Sequence, residues 1–278
     1  MEGKLTKLEK YWILYDVGNS AFVLLVSTIL PIYFNYLSGL GGVSEVDSLA
    51  YWGYGASVST LLVAFLGPVL GTVADTKGYK KPIFTVCMAV GVIGCAALAL
   101  PVSWAVFLAV FVVAKVGYSA SLIFYDAMLS DVTTPKRMDQ ISSQGYAWGY
   151  IGSCVPFIVS LGFVLGNEAI GITMPQAMAI AFFLNAGWWF AMTVPLLRTY
   201  RQNHGVAKRE HVVKESFGRL FRILQDIRKE RKTFLFLVAF FFYIDGVYTI
   251  IEMATAYGSA IGLDTQGLLL ALLVTQIV

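Results

Sequence analysis

Five ionisable side chains lie in segments of the sequence that are otherwise apolar enough to cross a lipid bilayer. They are Asp16, Lys115, Asp126, Asp245 and Glu252. A charge at the centre of a membrane helix costs about 2.5–3.5 kcal/mol on insertion scales, so such residues normally face a bundle interior or a water-filled cavity. Carboxylates and an ammonium group in that setting can bind a charged solute or exchange a proton.

The spacing places the polar residues of each segment on one helical face. At about 100° per residue, positions seven or eleven apart return to within about 20° of each other. We therefore predict a shared solute or ion pathway. Its residues, besides the supporting Ser20, Ser27 and Tyr118, are Asp16, Asn19, Lys115, Ser119, Asp126, Asp245, Tyr248 and Glu252. The alternative is that each charge is a buried, paired group that only fixes helix packing. For Asp126 and Glu252, which lie nearer the segment ends, simple hydration is a further alternative.

Lys115 requires a partner, because an unpaired ammonium in a low-dielectric environment loses its proton. Helical rise puts Lys115 about 20 Å from the cytoplasmic side, Asp245 about 18 Å and Asp16 about 8–13 Å. Asp245 is the better match in depth, and Asp16 is within reach of a long lysine side chain. We expect an ion pair that forms and breaks as two halves of the protein move.

The composition requires a membrane. Of the 278 residues, 58% are hydrophobic and 13% are charged, whereas soluble domains contain about 25% charged residues. About 20 apolar residues cross a bilayer as a helix. We predict an all-α, multi-pass membrane protein with seven spans at 11–37, 49–74, 82–100, 104–128, 144–166, 176–197 and 233–257. An eighth apolar segment, 266–278, is too short to cross, so we expect the chain to be cut within a span.

The basic residues orient the predicted spans. Every Lys and Arg except Lys115 lies in the N-terminus or in the segments after spans 2, 4 and 6. This asymmetry predicts a cytoplasmic N-terminus, in the cell membrane if the organism is bacterial. The segment after span 6 carries apolar residues at three- and four-residue steps among Arg and Lys, which is typical of an amphipathic basic helix.

Other classes of function find little support. The three cysteines lie inside apolar runs without metal-ligand spacing, and both histidines lie in the basic segment after span 6. We expect no metal, no cofactor and no nucleic-acid partner. A membrane-embedded enzyme is the alternative, but the sequence offers no pairing of a nucleophile with a base that would support it.

The segment GTVADTKGYKK, between spans 2 and 3, resembles the signature loop of the major facilitator superfamily. The matching residues are Gly71, Asp75, Gly78, Lys80 and Lys81; Thr76 departs from the usual basic residue. The segments YWILYDVGNSAF, FYDAMLSDVTTPKRMDQISSQGYAWGYIGS and FFYIDGVYTIIEMATAYG are similar to the vacuole-effluxer branch of that superfamily.

The resemblance implies a twelve-span fold of two six-span halves with alternating access around a central cavity. Residues 1–197 would then form the first half, 198–232 a cytoplasmic linker and 233–278 the start of the second half. In that fold spans 1, 4 and 7 line the cavity, and these are the spans with polar stripes. The signature loop would act as a cytoplasmic gate whose partner comes mainly from span 11.

We therefore expect a secondary transporter of a small solute, coupled to protons, with an amino acid as the substrate suggested by fungal members. The alternative within the same family is a non-transporting fragment of such a protein. The paired glycines Gly67 and Gly71, and Gly145 and Gly149, fit close helix contact. Oligomeric state is left open.

Overall fold

The computed structural model describes residues 4–100, 102–206, 212–264, 267–271 and 274, and the described chain is helical. The helices are α1 (Lys7–Ser27), α2 (Ile29–Leu40), α3 (Glu45–Asp75), α4 (Lys80–Ala97), α5 (Trp104–Val132), α6 (Met138–Leu165), α7 (Met174–Thr199), α8 (Val212–Lys229) and α9 (Arg231–Ala260), with a 3₁₀ turn at Pro135–Arg137.

Seven helical stretches are long and apolar enough to cross a membrane, which confirms the seven predicted spans. They are Lys7–Leu40, Glu45–Asp75, Lys80–Ala97, Trp104–Val132, Pro135–Leu165, Met174–Thr199 and Arg231–Ala260. The predicted eighth segment lies mostly outside the described residues. The division at 197/198 and 232/233 stays a prediction, with α7 ending at Thr199 and α9 beginning at Arg231.

A capping box begins the first span, and a proline interrupts its helix. Thr6 and Glu9 form a capping box at the start of α1, which satisfies amides that have no partner within the helix. Pro31 has no amide hydrogen, so it leaves the carbonyl of Ser27 without a helical donor. The chain breaks at Thr28, with φ −123° and ψ −78°. The hydroxyl of Thr255 in α9 donates to the free Ser27 carbonyl at 2.5 Å, so the kink is also a docking point.

Small residues let α4 and α5 approach closely. A Cβ placed on Gly117 would lie 2.6 Å from the backbone nitrogen of Gly91, and one on Gly94 would lie 2.9 Å from the Cα of Ala114. Membrane helices use such positions to bring their backbones into contact. The interior is otherwise filled with aromatic rings, such as Phe22 stacked against Trp189 at 5.5 Å.

All the basic loops meet at one end of the bundle, which we call the basic end. Arg137 donates to the carbonyl of Lys4 at 3.4 Å and pairs with Glu9 at 3.2 Å. Segment 200–206 runs beside the α3–α4 loop and forms an isolated parallel bridge between Val206 and Thr76. The opposite end, the far end, holds the loops at 41–44, 98–100 with 102–103, and 166–173.

Candidate functional site: an inter-helix ion pair and a clamped loop

Lys115 of α5 forms an ion pair with Glu252 of α9. The Lys115 Nζ lies 2.6 Å from the Glu252 Oε1, with 10% and 26% of the two side chains exposed. The ring of Phe111 also faces the ammonium, at 5.9 Å. Trp52 stacks on Phe111 at 4.4 Å and donates its indole N–H to the Glu252 carbonyl at 3.4 Å. The pair is therefore enclosed by two aromatic rings and joins three helices.

The prediction that Lys115 pairs with Asp245 or Asp16 is wrong. Asp245 is exposed, and its side chain makes no hydrogen bond or ion pair among the described residues. Asp245 and Glu252 share one face of α9, so the choice between them depends on where that helix is held. Lys115 lies eleven residues from the far end of α5 and Glu252 eight from the far end of α9, which at 1.5 Å per residue is about 16 Å and 12 Å.

The contacts between α9 and the first six spans are concentrated near the far end. Thr255 reaches the Ser27 carbonyl, and Asn35 donates to the Ser259 hydroxyl at 3.4 Å. Closer to the basic end the same helix is largely exposed, including Tyr248 at 59%. Within the described residues, α9 is thus held at the far end and stands free towards the basic end.

Asp16 lies against α6, where two glycines make room for it. A Cβ on Gly149 would lie 3.2 Å from the Asp16 Oδ2, and one on Gly145 would lie 3.3 Å from the same atom. The amide of Asn19 donates to the Asp16 Oδ1 at 3.3 Å. The hydroxyl of Tyr125, beside Gly145, is buried without a hydrogen-bond partner in the described structure. An incompletely satisfied carboxylate and a buried phenol therefore lie close together.

The other predicted pathway residues surround the same region without direct bonds. Asp126 is exposed and close enough to Asp16 for the two carboxylates to interact electrostatically. Tyr248 and Asp16 both lie within electrostatic range of Tyr118. Ser119 is half-buried. Asp16 and Tyr248 thus lie near Tyr118, and Asp126 lies near Asp16, whereas the Lys115–Glu252 pair lies farther towards the far end.

The signature loop is held by the segment that follows α7. Gly78 adopts φ 84°, a left-handed conformation that favours glycine, and its amide donates to the Gln202 Oε1 at 2.8 Å. The Lys81 ammonium donates to the Tyr200 carbonyl at 3.3 Å. The Gln202 amide in turn donates to the Thr76 carbonyl at 3.1 Å. Within the described residues, the linker therefore bonds to Thr76, Gly78 and Lys81 of the loop, while Lys80 bonds to Asp131 of α5.

Asp131 organises this end of the molecule and is not among the residues predicted from the sequence. Its buried carboxylate accepts from the Lys80 ammonium at 2.9 Å and from the Tyr200 hydroxyl at 2.6 Å. It also accepts from the backbone N–H of Asn203 at 3.1 Å and of His204 at 2.8 Å. Burial, together with the bond to this carboxylate, raises the pKa of Tyr200, so the phenol stays protonated and donates.

A sequence signal for Asp131 existed. It ends a span directly beside a loop of cations, where a carboxylate has an obvious partner.

Two residues of the predicted gating loop play smaller parts. The Asp75 side chain is exposed, and its carbonyl accepts from the Val206 amide at 2.8 Å. A Cβ on Gly71 would meet nothing within 4 Å, so the predicted packing role holds for Gly145 and Gly149 but not for Gly71.

The described residues contain no group of three or more His, Cys, Asp or Glu that could hold a metal ion. The described groups that can act electrostatically are an inter-helix ion pair, a half-buried carboxylate beside glycines and a carboxylate-centred clamp at the basic end.

Seven spans, polar stripes on three of them and a clamped signature loop define an integral multi-pass membrane protein of the major facilitator class. A family model described as "Vacuole effluxer Atg22 like" matches residues 6–278, so the chain belongs to that family. It is 42% identical over 283 residues to the "Uncharacterized MFS-type transporter YxiO" of Bacillus subtilis (strain 168), where MFS is the major facilitator superfamily. That match covers 100% of this chain and 66% of the relative, so the chain spans about two thirds of the relative's length. The resemblance seen in the sequence is confirmed, and both names describe transporters rather than enzymes.

Proposed function

We propose that the protein is a secondary transporter of a small solute that works by alternating access. The observation that carries the proposal is the enclosed Lys115–Glu252 ion pair, which joins the first six spans to α9 near the far end. In this proposal the pair, together with the Thr255 and Asn35 contacts, closes the solute pathway at the far end. We place the opening of the transport cycle at the basic end, because the described contacts between α9 and the first six spans are concentrated near the far end.

Asp16 is the proposed solute or proton site. Two glycines and Asn19 hold the carboxylate in place, and Asp126 increases the negative potential around it. A cationic or zwitterionic solute, or a proton, is the natural ligand of such a site. Coupling to protons and an amino-acid substrate extend the proposal, with the basic end in the cytoplasm as the positive-inside rule predicts.

The test compares substitutions at Lys115 in the whole gene product, reconstituted in proteoliposomes. The probes are radiolabelled leucine, lysine and glutamate, which cover neutral, cationic and anionic amino acids. Removing one partner of a buried ion pair costs about 3–5 kcal/mol, so Lys115→Ala should slow transport of whichever probe is carried at least about tenfold. Lys115→Arg, which keeps the charge, should retain more transport than Lys115→Ala.

Lys136→Ala is the matched control, since Lys136 is an exposed cation at the basic end, and its rate should equal that of the unsubstituted protein. The exchange Lys115→Glu with Glu252→Lys should recover part of the loss. Full transport by Lys115→Ala would show that the Lys115–Glu252 ion pair is not a gate in the transport cycle. If an imposed pH jump leaves the flux unchanged both in the unsubstituted protein and in Asp16→Asn, the proposal of proton coupling is wrong.

A further inference from the structure

The amphipathic helix α8 presents a row of large apolar side chains that nothing in the described structure covers. Phe221 is 63% exposed and Leu224 54% exposed. Three more large residues of the same helix are also exposed, namely Phe217, Leu220 and Ile223. An exposed apolar surface of this kind marks a site of contact with a membrane or another protein.

One edge of α8 already rests on the bundle, which fixes the direction of the free edge. Ser216 is buried and donates to the Thr72 hydroxyl of α3 at 2.6 Å. At about 100° per residue, Leu224, Phe217 and Phe221 lie roughly 80–140° around the helix from Ser216. These three residues therefore extend the apolar arc from the contact with α3 to one side of the helix.

The polar face of α8 and the first turn of α9 are rich in cations. Residues 212–232 contain seven Lys or Arg and three Asp or Glu. Arg222, Arg228 and Lys232 are exposed and belong to no ion pair in the described structure, whereas Lys229 pairs with Asp226 at 2.7 Å. Lys232 lies in the first turn of a helix, where the helix dipole disfavours cations. These charges favour an anionic partner.

We propose that α8 and the start of α9 bind anionic phospholipid at the membrane surface of the basic end. The apolar arc, with Phe217, Phe221 and Leu224, enters the boundary between headgroups and acyl chains. Arg222, Arg228 and Lys232 contact the lipid phosphates. A lipid surface fits better than a soluble partner because α8 leads, through Glu230, directly into a membrane span. Basic amphipathic helices bind in this way, with about 1 kcal/mol for each Lys or Arg near an anionic surface.

The test uses photo-crosslinking in the whole protein, with benzoylphenylalanine in place of Phe221. The protein is held in phosphatidylcholine nanodiscs with a minor fraction of phosphatidylglycerol, and mass spectrometry identifies the adducts. Phosphatidylglycerol should be enriched among the adducts at least about threefold over its share of the bilayer, since two cations supply enough free energy for this. Benzoylphenylalanine in place of Asp226, which lies about 140° around the helix from Phe221 on the polar face, should give few acyl-chain adducts.

Charge removal separates a specific site from general attraction. The triple variant Arg222→Gln, Arg228→Gln, Lys232→Gln should lose the enrichment, while Lys4→Gln, Lys10→Gln, Lys136→Gln should keep it, because those three cations are exposed at the same end but off α8. Adducts in proportion to bulk lipid, an equal loss in both triple variants, or adducts to protein at position 221 would each overturn the proposal. The readout does not depend on transport, so it stands or falls apart from the proposed function.

Discussion

At the residue scale, the ion pairs differ in how completely the protein encloses them. The Asp131 carboxylate is 0% exposed and the Lys80 ammonium side chain 4% exposed. Lys229 and Asp226, by contrast, are 75% and 72% exposed. Desolvation makes a buried charge depend on its partner, whereas solvent screens an exposed pair. The exposed pair is the shorter of the two, at 2.7 Å against 2.9 Å, yet the buried pair should contribute more to stability.

We expect Asp131→Ala to lower the free energy of unfolding by about 3–5 kcal/mol, because Lys80 is left buried without its partner. Thermal unfolding in detergent, followed by circular dichroism, would measure the loss. Asp226→Ala is the control and should leave the transition where it is. A transition temperature for Asp131→Ala equal to that of Asp226→Ala would mean that the clamp does not stabilise the fold.

At the element scale, glycine positions decide which helices can touch. Gly117 lies where α5 crosses α4, and its added Cβ would be 2.6 Å from a backbone nitrogen. A backbone atom cannot rotate away as a side chain can, so the two helices would have to separate. Gly187 lies within α7, where an added Cβ would meet nothing within 4 Å.

Gly117→Ala should therefore destabilise the protein by about 1–3 kcal/mol, the usual penalty for overpacking. Gly187→Ala should be neutral or slightly stabilising, since alanine favours a helix over glycine. Both variants would be compared by thermal unfolding in the same detergent. Equal unfolding temperatures for the two variants would show that the α4–α5 contact tolerates an extra carbon.

The contact between α2 and α9 lies at the far end, which must open if the protein works by alternating access, so crosslinking this contact tests the proposal directly. Asn35 and Ser259 lie 3.4 Å apart at their side-chain nitrogen and oxygen. Asn35→Cys with Ser259→Cys, joined by a short reducible thiol crosslinker, should stop transport, because the far end could no longer open. Reduction should restore the rate, and the unsubstituted chain treated with the same reagent is the control. Undiminished transport after complete crosslinking would exclude this contact as a moving gate.

At the scale of the whole molecule, α9 touches the bundle near one end and leaves the other end accessible. Tyr248 is exposed at 59%, seven residues before Thr255, which is buried against the Pro31 kink. If the basic end is the open one, as we propose, water entering there reaches Tyr248 before the Glu252 ion pair.

A cysteine in place of Tyr248 should react with a membrane-impermeant maleimide from the same side as Lys4→Cys. Glu168→Cys, in the loop at the far end, should react only from the other side. Right-side-out and inverted vesicles would separate the two, and the comparison also reports whether the basic end faces the cytoplasm. Labelling of Tyr248→Cys from the Glu168 side alone would reverse the proposed opening.

Much of the architecture was predictable because the membrane imposes it on the sequence. Apolar runs of sufficient length, interrupted by polar segments, set the number of spans. The partition of Lys and Arg predicted that the basic loops share one end. The hydrogen bonds of Lys4 with Arg137 and of Val206 with Asp75 bring these loops together there. Helical periodicity likewise predicted the faces that carry Asp16, Lys115 and Glu252.

What the sequence determined by itself, then, was which segments cross the membrane and which face of each is polar, because hydropathy and helical period are local properties. Only the tertiary structure decided that Lys115 pairs with Glu252 and that Asp131 gathers Lys80, Tyr200 and His204. Asp245 and Glu252 lie on the same face, so periodicity cannot separate them. The choice between them came from the docking of α9 on the Pro31 kink, and such contacts join residues more than a hundred positions apart.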